Sequence, residues 1–333
     1  TKAYEIQGSL CLGTSLNKLG YDHVFYVKLA SGSIFSYLVN NGDTNALRRT
    51  VNNILLDGPN LRAYRHFPNV GKRKSWAAAD ASRRGIELAN ISNNKDEIYD
   101  SVQNDDKWGF ESNFLANSKI EFGKDLNNWV IQNILFKVLF PAEFHGQSAV
   151  EAAIKLSEEF NKNIDKFEKV NIYTHEPAIR IISNKDVLKN ASDRDHSMEY
   201  MVAAALLYGE LKYEMYEESF EGFENINNLR KKIFVSEQPQ FTKDYYEFSK
   251  RYISNSIEIV YNDNSTSEKI TIENPIGHPS RRKEAIPLLR DKFLRNVKSL
   301  FDTEKASEVW DKIINLEKDD DLNKFFNILN EDE

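Results

Sequence analysis

The apolar pattern changes period twice along this 333-residue chain, and that change constrains the fold more than any other feature. From residue 3 to about 100, apolar residues recur at three and four spacing, as in Ala3 to Asn17 and Val24 to Asn41, and no strand signal interrupts them. Asp43 or Thr44 stands where a helix needs an N-cap. Ser75 to Ala89 reads as a small-residue helix whose alanines let a neighbouring helix come close. Ser92 to Lys124 turns to Asn, Asp, Gly and Ser, which predicts a long loop at the domain's edge. After Phe140-Pro141 the pattern predicts a helix from about Gln147 to Asn161, a strand-like run Lys169 to Ile182 and a helix His196 to Glu210. Alternating Ile257, Ile259 and Ile270, Ile272 predict a hairpin of Ser256 to Tyr261 with Glu268 to Glu273. Beyond Pro275-Ile276-Gly277-His278-Pro279 the helical period returns through Pro287 to Ile328, and the acidic runs 319–321 and 331–333 read as solvated. Strands confined between helical stretches predict an α+β chain.

The length exceeds what a single core usually reaches, so one large domain and a smaller one are expected. Fifteen Tyr and twenty Phe supply bulk enough for the cores. A formal charge of −7 argues against a nucleic-acid partner, because phosphate recognition needs a basic surface. Cys11 is the only cysteine, which excludes an intrachain disulfide and a thiolate metal site. No run approaches the ~20 apolar residues that span a bilayer, and the first residues do not resemble a signal peptide. These features predict a soluble intracellular protein with no membrane contact. The chain starts without methionine and enters an apolar pattern at once, as a segment cut from a domain would.

Three stretches carry groups able to do chemistry. Leu61 to Trp76 gathers Arg62, Arg65, His66, Lys72, Arg73 and Lys74 inside an acidic protein. Several carboxylates on one small molecule repel each other unless guanidinium and ammonium groups pair with them, and this cluster suits that task. The plain alternative is a solvated basic loop. Phe136 to Ser148 sets Lys137, Glu143 and His145 among apolar neighbours, where desolvation prepares acid-base groups; a helix end and its cap explain the same residues. Ile172 to Ile179 closes a strand with His175-Glu176. Asp193 and Asp195 suit a helix start. The six histidines have no ligand spacing, so no metal is expected.

Tyr64-Arg-His-Phe-Pro-Asn, Arg73-Lys-Ser-Trp-Ala-Ala, Phe140-Pro-Ala-Glu-Phe-His, Thr174-His-Glu-Pro-Ala-Ile-Arg-Ile-Ile, Asp193-Arg-Asp-His and Pro275-Ile-Gly-His occur in the order found in the methylcitrate branch of the MmgE/PrpD family, which the chain resembles from about residue 3 to 330. The resemblance implies a large all-helical domain with an inserted smaller α+β lid domain and an active site in the cleft. The expected boundaries are 1–140 for the helical domain, 141–276 for the lid and 277–333 for helices returning to the helical domain. It further implies a homodimer, cytoplasmic or in the mitochondrial matrix of a eukaryote, that needs no cofactor. The substrate would be a small tricarboxylate, 2-methylcitrate, dehydrated to 2-methyl-cis-aconitate in propionate breakdown. Related decarboxylases and isomerases of cis-aconitate share the fold. Family members carry further helical sequence ahead of this chain's start, so a poorly active fragment that only binds or dimerises is the competing expectation. Lys74, Lys137, His145 and His175 are the expected catalytic residues; Arg62, Arg65, His66 and Glu143 are expected to bind substrate.

Overall fold

Helices form in the first third where apolar spacing places them. The computed structural model describes residues 1–66, 68–93, 97–317, 321, 323, 326 and 327. The end of the expected C-terminal helix and most of the acidic runs lie outside these residues. The chain divides into two compact units, Thr1–Ile134 with Val187–Arg194, and Leu135–Asp186 with Asp195–Glu333.

The first unit holds α1 (Lys2–Gly13), α2 (Val24–Val39), α3 (Thr44–Asp57), α4 (Arg73–Ser92), α5 (Phe110–Phe114) and α6 (Trp129–Asn133). The Asp43 side chain accepts from the Asn45 amide, so the expected N-cap is present. Leu10, Phe25, Leu29, Ile54 and Leu88 meet in one core. Close approach of α2 to α4 depends on glycine as well as alanine: a Cβ on Gly85 would lie 2.3 Å from the Lys28 carbonyl oxygen, and one on Gly32 2.7 Å from that of Gly85. The stretch expected as an edge loop differs from that reading. Phe110 on α5 stacks on Phe25 at 5.0 Å, and both Phe110 and Leu115 are buried, because their apolar area outweighs the polar residues around them. Buried Glu5 accepts from the amides of Val130 and Ile131, which ties α1 to the start of α6.

The second unit is built on α7 (Gln147–Lys162), which packs against α10 (Met198–Tyr208) and against β3 and β4 of a four-stranded sheet. The sheet runs β2 (Ile233–Glu237), β1 (Phe167–Thr174), β3 (Asn255–Tyr261), β4 (Ile270–Ile272), with β1 parallel to β2 and the other pairs antiparallel. Val170 lies opposite Ile233 on one side and Ile259 on the other, and Ile172 opposite Val235 and Ile257, so alternate β1 residues face the core. The expected hairpin forms as β3 and β4. The expected run Lys169 to Ile182 is instead two elements, because His175-Glu176-Pro177 stops the strand and Pro177 in the first turn begins α8 (Glu176–Ile182). Between α8 and α10 the chain contributes Val187–Arg194, with α9 (Ala191–Arg194), to the first unit. Every residue of α10 from Met198 to Leu206 is buried, as befits a helix apolar all round. The unit adds α11 (Phe223–Arg230), α12 (Pro239–Tyr246), α13 (Arg282–Val297) and α14 (Thr303–Ile314). Gly277 has φ +107°, and a Cβ there would lie 1.9 Å from the Phe136 carbonyl oxygen, so only glycine fits that turn. Among the described residues no helix is long and apolar enough to cross a membrane.

Candidate active-site residues

In the first unit the expected anion-binding residues sit on and beside the short turn Ala63–Arg65 and at the start of α4. Arg62 donates from Nη1 to Asn17 Oδ1 at 3.0 Å and from Nε to His66 Nε2 at 3.0 Å, and His23 Nδ1 lies 3.2 Å from Nη1. Arg65 donates to Asp22 Oδ2 at 2.5 Å. Asp22 is fully buried. Burial alone would raise its carboxyl, but hydrogen bonds from Arg65 and the Val24 amide, with the charge of Arg65, hold it below the usual range. Arg65 thus satisfies an internal carboxylate in this structure. Arg73 lies over the Trp76 ring at 4.4 Å and over Tyr64 at 5.3 Å. Lys74 is half-buried in the first turn of α4, a twenty-residue helix with no side-chain cap and no acidic residue in that turn. The helix dipole therefore adds positive potential to that of Lys72, Arg73 and Lys74.

In the second unit three expected residues come together. Glu143 precedes the turn Phe144–Gly146 and caps it, accepting from the His145 amide at 2.7 Å. The same carboxylate lies 2.9 and 3.0 Å from His145 Nδ1. The His145 and His175 ring centroids are 5.3 Å apart. His175 Nδ1 lies 3.3 Å from Thr174 Oγ1 and 3.5 Å from the Ser254 carbonyl oxygen, while its Nε2 is buried without a partner among the described residues. Asn255 donates to the His145 carbonyl at 2.9 Å and to Ser148 Oγ at 2.8 Å, which fixes the backbone of the turn against β3.

Electrostatics follow from this packing. Burial would push the Glu143 carboxyl up, but the charge and hydrogen bonds of His145, with a further contribution from His196, bring it down to about 2. Burial and the neighbouring His145 pull His175 down to about 4, so it is neutral at physiological pH. At physiological pH the arrangement therefore pairs one imidazole on an ionised carboxylate with a second that is neutral, a combination suited to moving protons.

Lys137 is not part of this group. It is exposed, its carbonyl accepts from Lys292, and among the described residues its ammonium makes no hydrogen bond. Asp195 pairs with His196 at 2.5 Å and its carbonyl accepts from the Glu143 amide, which links the expected charged segment to the cluster. Tyr245 on α12 was not anticipated: its hydroxyl lies 3.2 Å from His145 Nε2 and its ring stacks on His175 at 4.7 Å. Pro239 after a polar stretch marks the start of α12, but no spacing joins Tyr245 to residues a hundred positions earlier. Among the described residues no group of three or more His, Cys, Asp or Glu is placed to hold a metal ion. Burial pushes the Cys11 thiol up to about 11, which makes it a poor nucleophile.

Comparison with known proteins matches both units to one family. The MmgE/PrpD N-terminal domain model matches residues 1–123 and the MmgE/PrpD C-terminal domain model residues 140–318. A protein of Escherichia coli (strain K12) named 2-methylcitrate dehydratase is 41% identical over 311 residues, 92% of this chain and 64% of its own length. A protein of Cupriavidus necator with the same name is 38% identical over 303 residues, 90% of this chain and 62% of its own. The mitochondrial 2-methylcitrate dehydratase of Yarrowia lipolytica is 38% identical over 303 residues, 90% of this chain and 58% of its own. The chain thus spans somewhat less than two thirds of the relatives it matches. With a family model matched across each unit, the chain belongs to the MmgE/PrpD family.

Proposed function

We propose that the protein carrying this chain removes water from 2-methylcitrate to give 2-methyl-cis-aconitate, a step in propionate breakdown, using side chains alone. The observation that carries this reading is that relatives matched over about nine tenths of the chain bear the name 2-methylcitrate dehydratase. The reaction needs a base for an unactivated C–H, positive charge for the electron-rich intermediate and an acid for the departing hydroxide. His145, braced by ionised Glu143, with His175 beside it, suits the proton transfers. Lys137 is retained as a candidate for them only if its exposed side chain is reoriented on binding. Lys74, Arg62 and His66 are proposed to hold substrate carboxylates, with the uncapped start of α4 favouring an anion at Lys74. Arg65 is proposed to share that role, and its Nε bond to Asp22 makes it a support for the loop as well.

The inserted-lid arrangement, with 277–333 returning to the helical domain, and a homodimer belong to the same proposal. The alternative outcome is a module that binds or dimerises without turnover. Steady-state assay of purified protein with 2-methylcitrate, and separately with cis-aconitate, separates the readings. Dehydration of 2-methylcitrate supports the proposal, decarboxylation of cis-aconitate moves it to the sister activity, and binding without turnover supports the module.

A further inference from the structure

The histidine pair has a third member that the dehydratase reading does not assign. Ionised Glu143 can only accept, and both its oxygens lie within 3.0 Å of His145 Nδ1, so that nitrogen carries the proton. In the neutral ring Nε2 is then the acceptor, and the group placed to donate to it is the Tyr245 hydroxyl at 3.2 Å. The Tyr245 ring also lies nearly flat on His175, 14° from parallel with centroids 4.7 Å apart, and 5.7 Å from the ring of His145. One side chain therefore touches both imidazoles through different parts, the hydroxyl for one and the π-face for the other. Its place on α12 is fixed locally: Thr242 accepts from the Glu176 amide, which joins α12 to α8 beside His175.

We propose that Tyr245 is a positioning residue for proton transfer, whose hydroxyl holds the basic nitrogen of His145 in one direction while its ring fixes the plane of His175. This deepens the dehydratase reading and rests on it for the identity of the reaction. The charged and titratable groups around the trio are Glu143 on the same turn, His196 with Asp195 ahead of α10, Glu176 and Arg180 on α8, Tyr246 on α12 and Arg251 after it. None of them stands between the Tyr245 oxygen and Nε2, so the effect of the hydroxyl can be isolated by removing that atom.

The test is Tyr245→Phe, which keeps the ring and deletes the oxygen, studied in the full chain with 15N-labelled histidine over a series of pH values. The expected result is that the His145 Nε2 resonance moves toward that of an unbonded ring nitrogen while the His175 resonances stay in place, with an unchanged thermal melt. In turnover of 2-methylcitrate, kcat should fall ~10-fold or more with KM within a small factor, and the pH profile should shift with it. An unmoved Nε2 resonance overturns the proposal. A moved resonance with unchanged kcat in an active protein overturns it too, because the contact would then serve packing alone. If wild-type protein does not turn over 2-methylcitrate, the dehydratase reading fails by itself, and the resonance still decides whether Tyr245 orients His145.

Discussion

Arg65 and Asp22 are forty-three positions apart in the sequence, and their pairing gives Arg65 a structural task. Asp22 is fully buried, so Arg65→Met removes its guanidinium partner and should destabilise the protein by ~1–3 kcal/mol in urea unfolding. A cation needed only for substrate would leave stability unchanged. Lys74 is expected to behave in the opposite way. If it holds a carboxylate that becomes more electron-rich as the C–H proton leaves, Lys74→Met should lower kcat ~100-fold or more while the melt stays near wild type. Unchanged kcat would return the basic stretch to a solvated loop. His175 carries the pH dependence. Its imidazole is held at about 4 against 6.5 in an unfolded chain, so the stability of the neutral ring is complete above pH 6.5 and is lost as pH falls toward 4. Wild-type unfolding free energy should decline across that window by up to about 3 kcal/mol, and His175→Asn should flatten the decline. Residue identities and the local grouping of Glu143 with His145 could be read from the chain, since two positions separate them. Asp22 and Tyr245 could not, because tertiary packing alone brings them to Arg65 and His145.

The period of the apolar pattern located α4, α7 and the β3–β4 hairpin well, because each buries a face at its own spacing. It failed where apolar residues run without alternation. From Lys169 to Ile182 a strand and a helix share one apolar stretch, and the break lies in His175-Glu176-Pro177 rather than in hydrophobicity. It failed also at β2, a five-residue strand with one buried residue, and at α12, which has none. The contact of α2 with α4 gives the clearest test at this scale. Gly85→Ala would press a methyl against the Lys28 carbonyl, a main-chain atom that cannot rotate away. It should cost about 2 kcal/mol or more, whereas Gly71→Ala, with nothing nearer than 4.0 Å, should change the melting temperature little.

Across the whole chain, two units with separate cores carry two sets of candidate groups: cations at the start of α4 in the first, and the Glu143, His145, His175 and Tyr245 cluster in the second. The expected homodimer is checked by sedimentation equilibrium at micromolar concentration; a monomer throughout would count against it. The claim that this chemistry is dehydration by an oriented imidazole is tested most directly by steady-state turnover of 2-methylcitrate with the full gene product and its His145→Asn variant, each verified as folded. The account predicts that wild type forms 2-methyl-cis-aconitate and that the variant's kcat falls ~100-fold or more. A folded variant that turns over at the wild-type rate would contradict it.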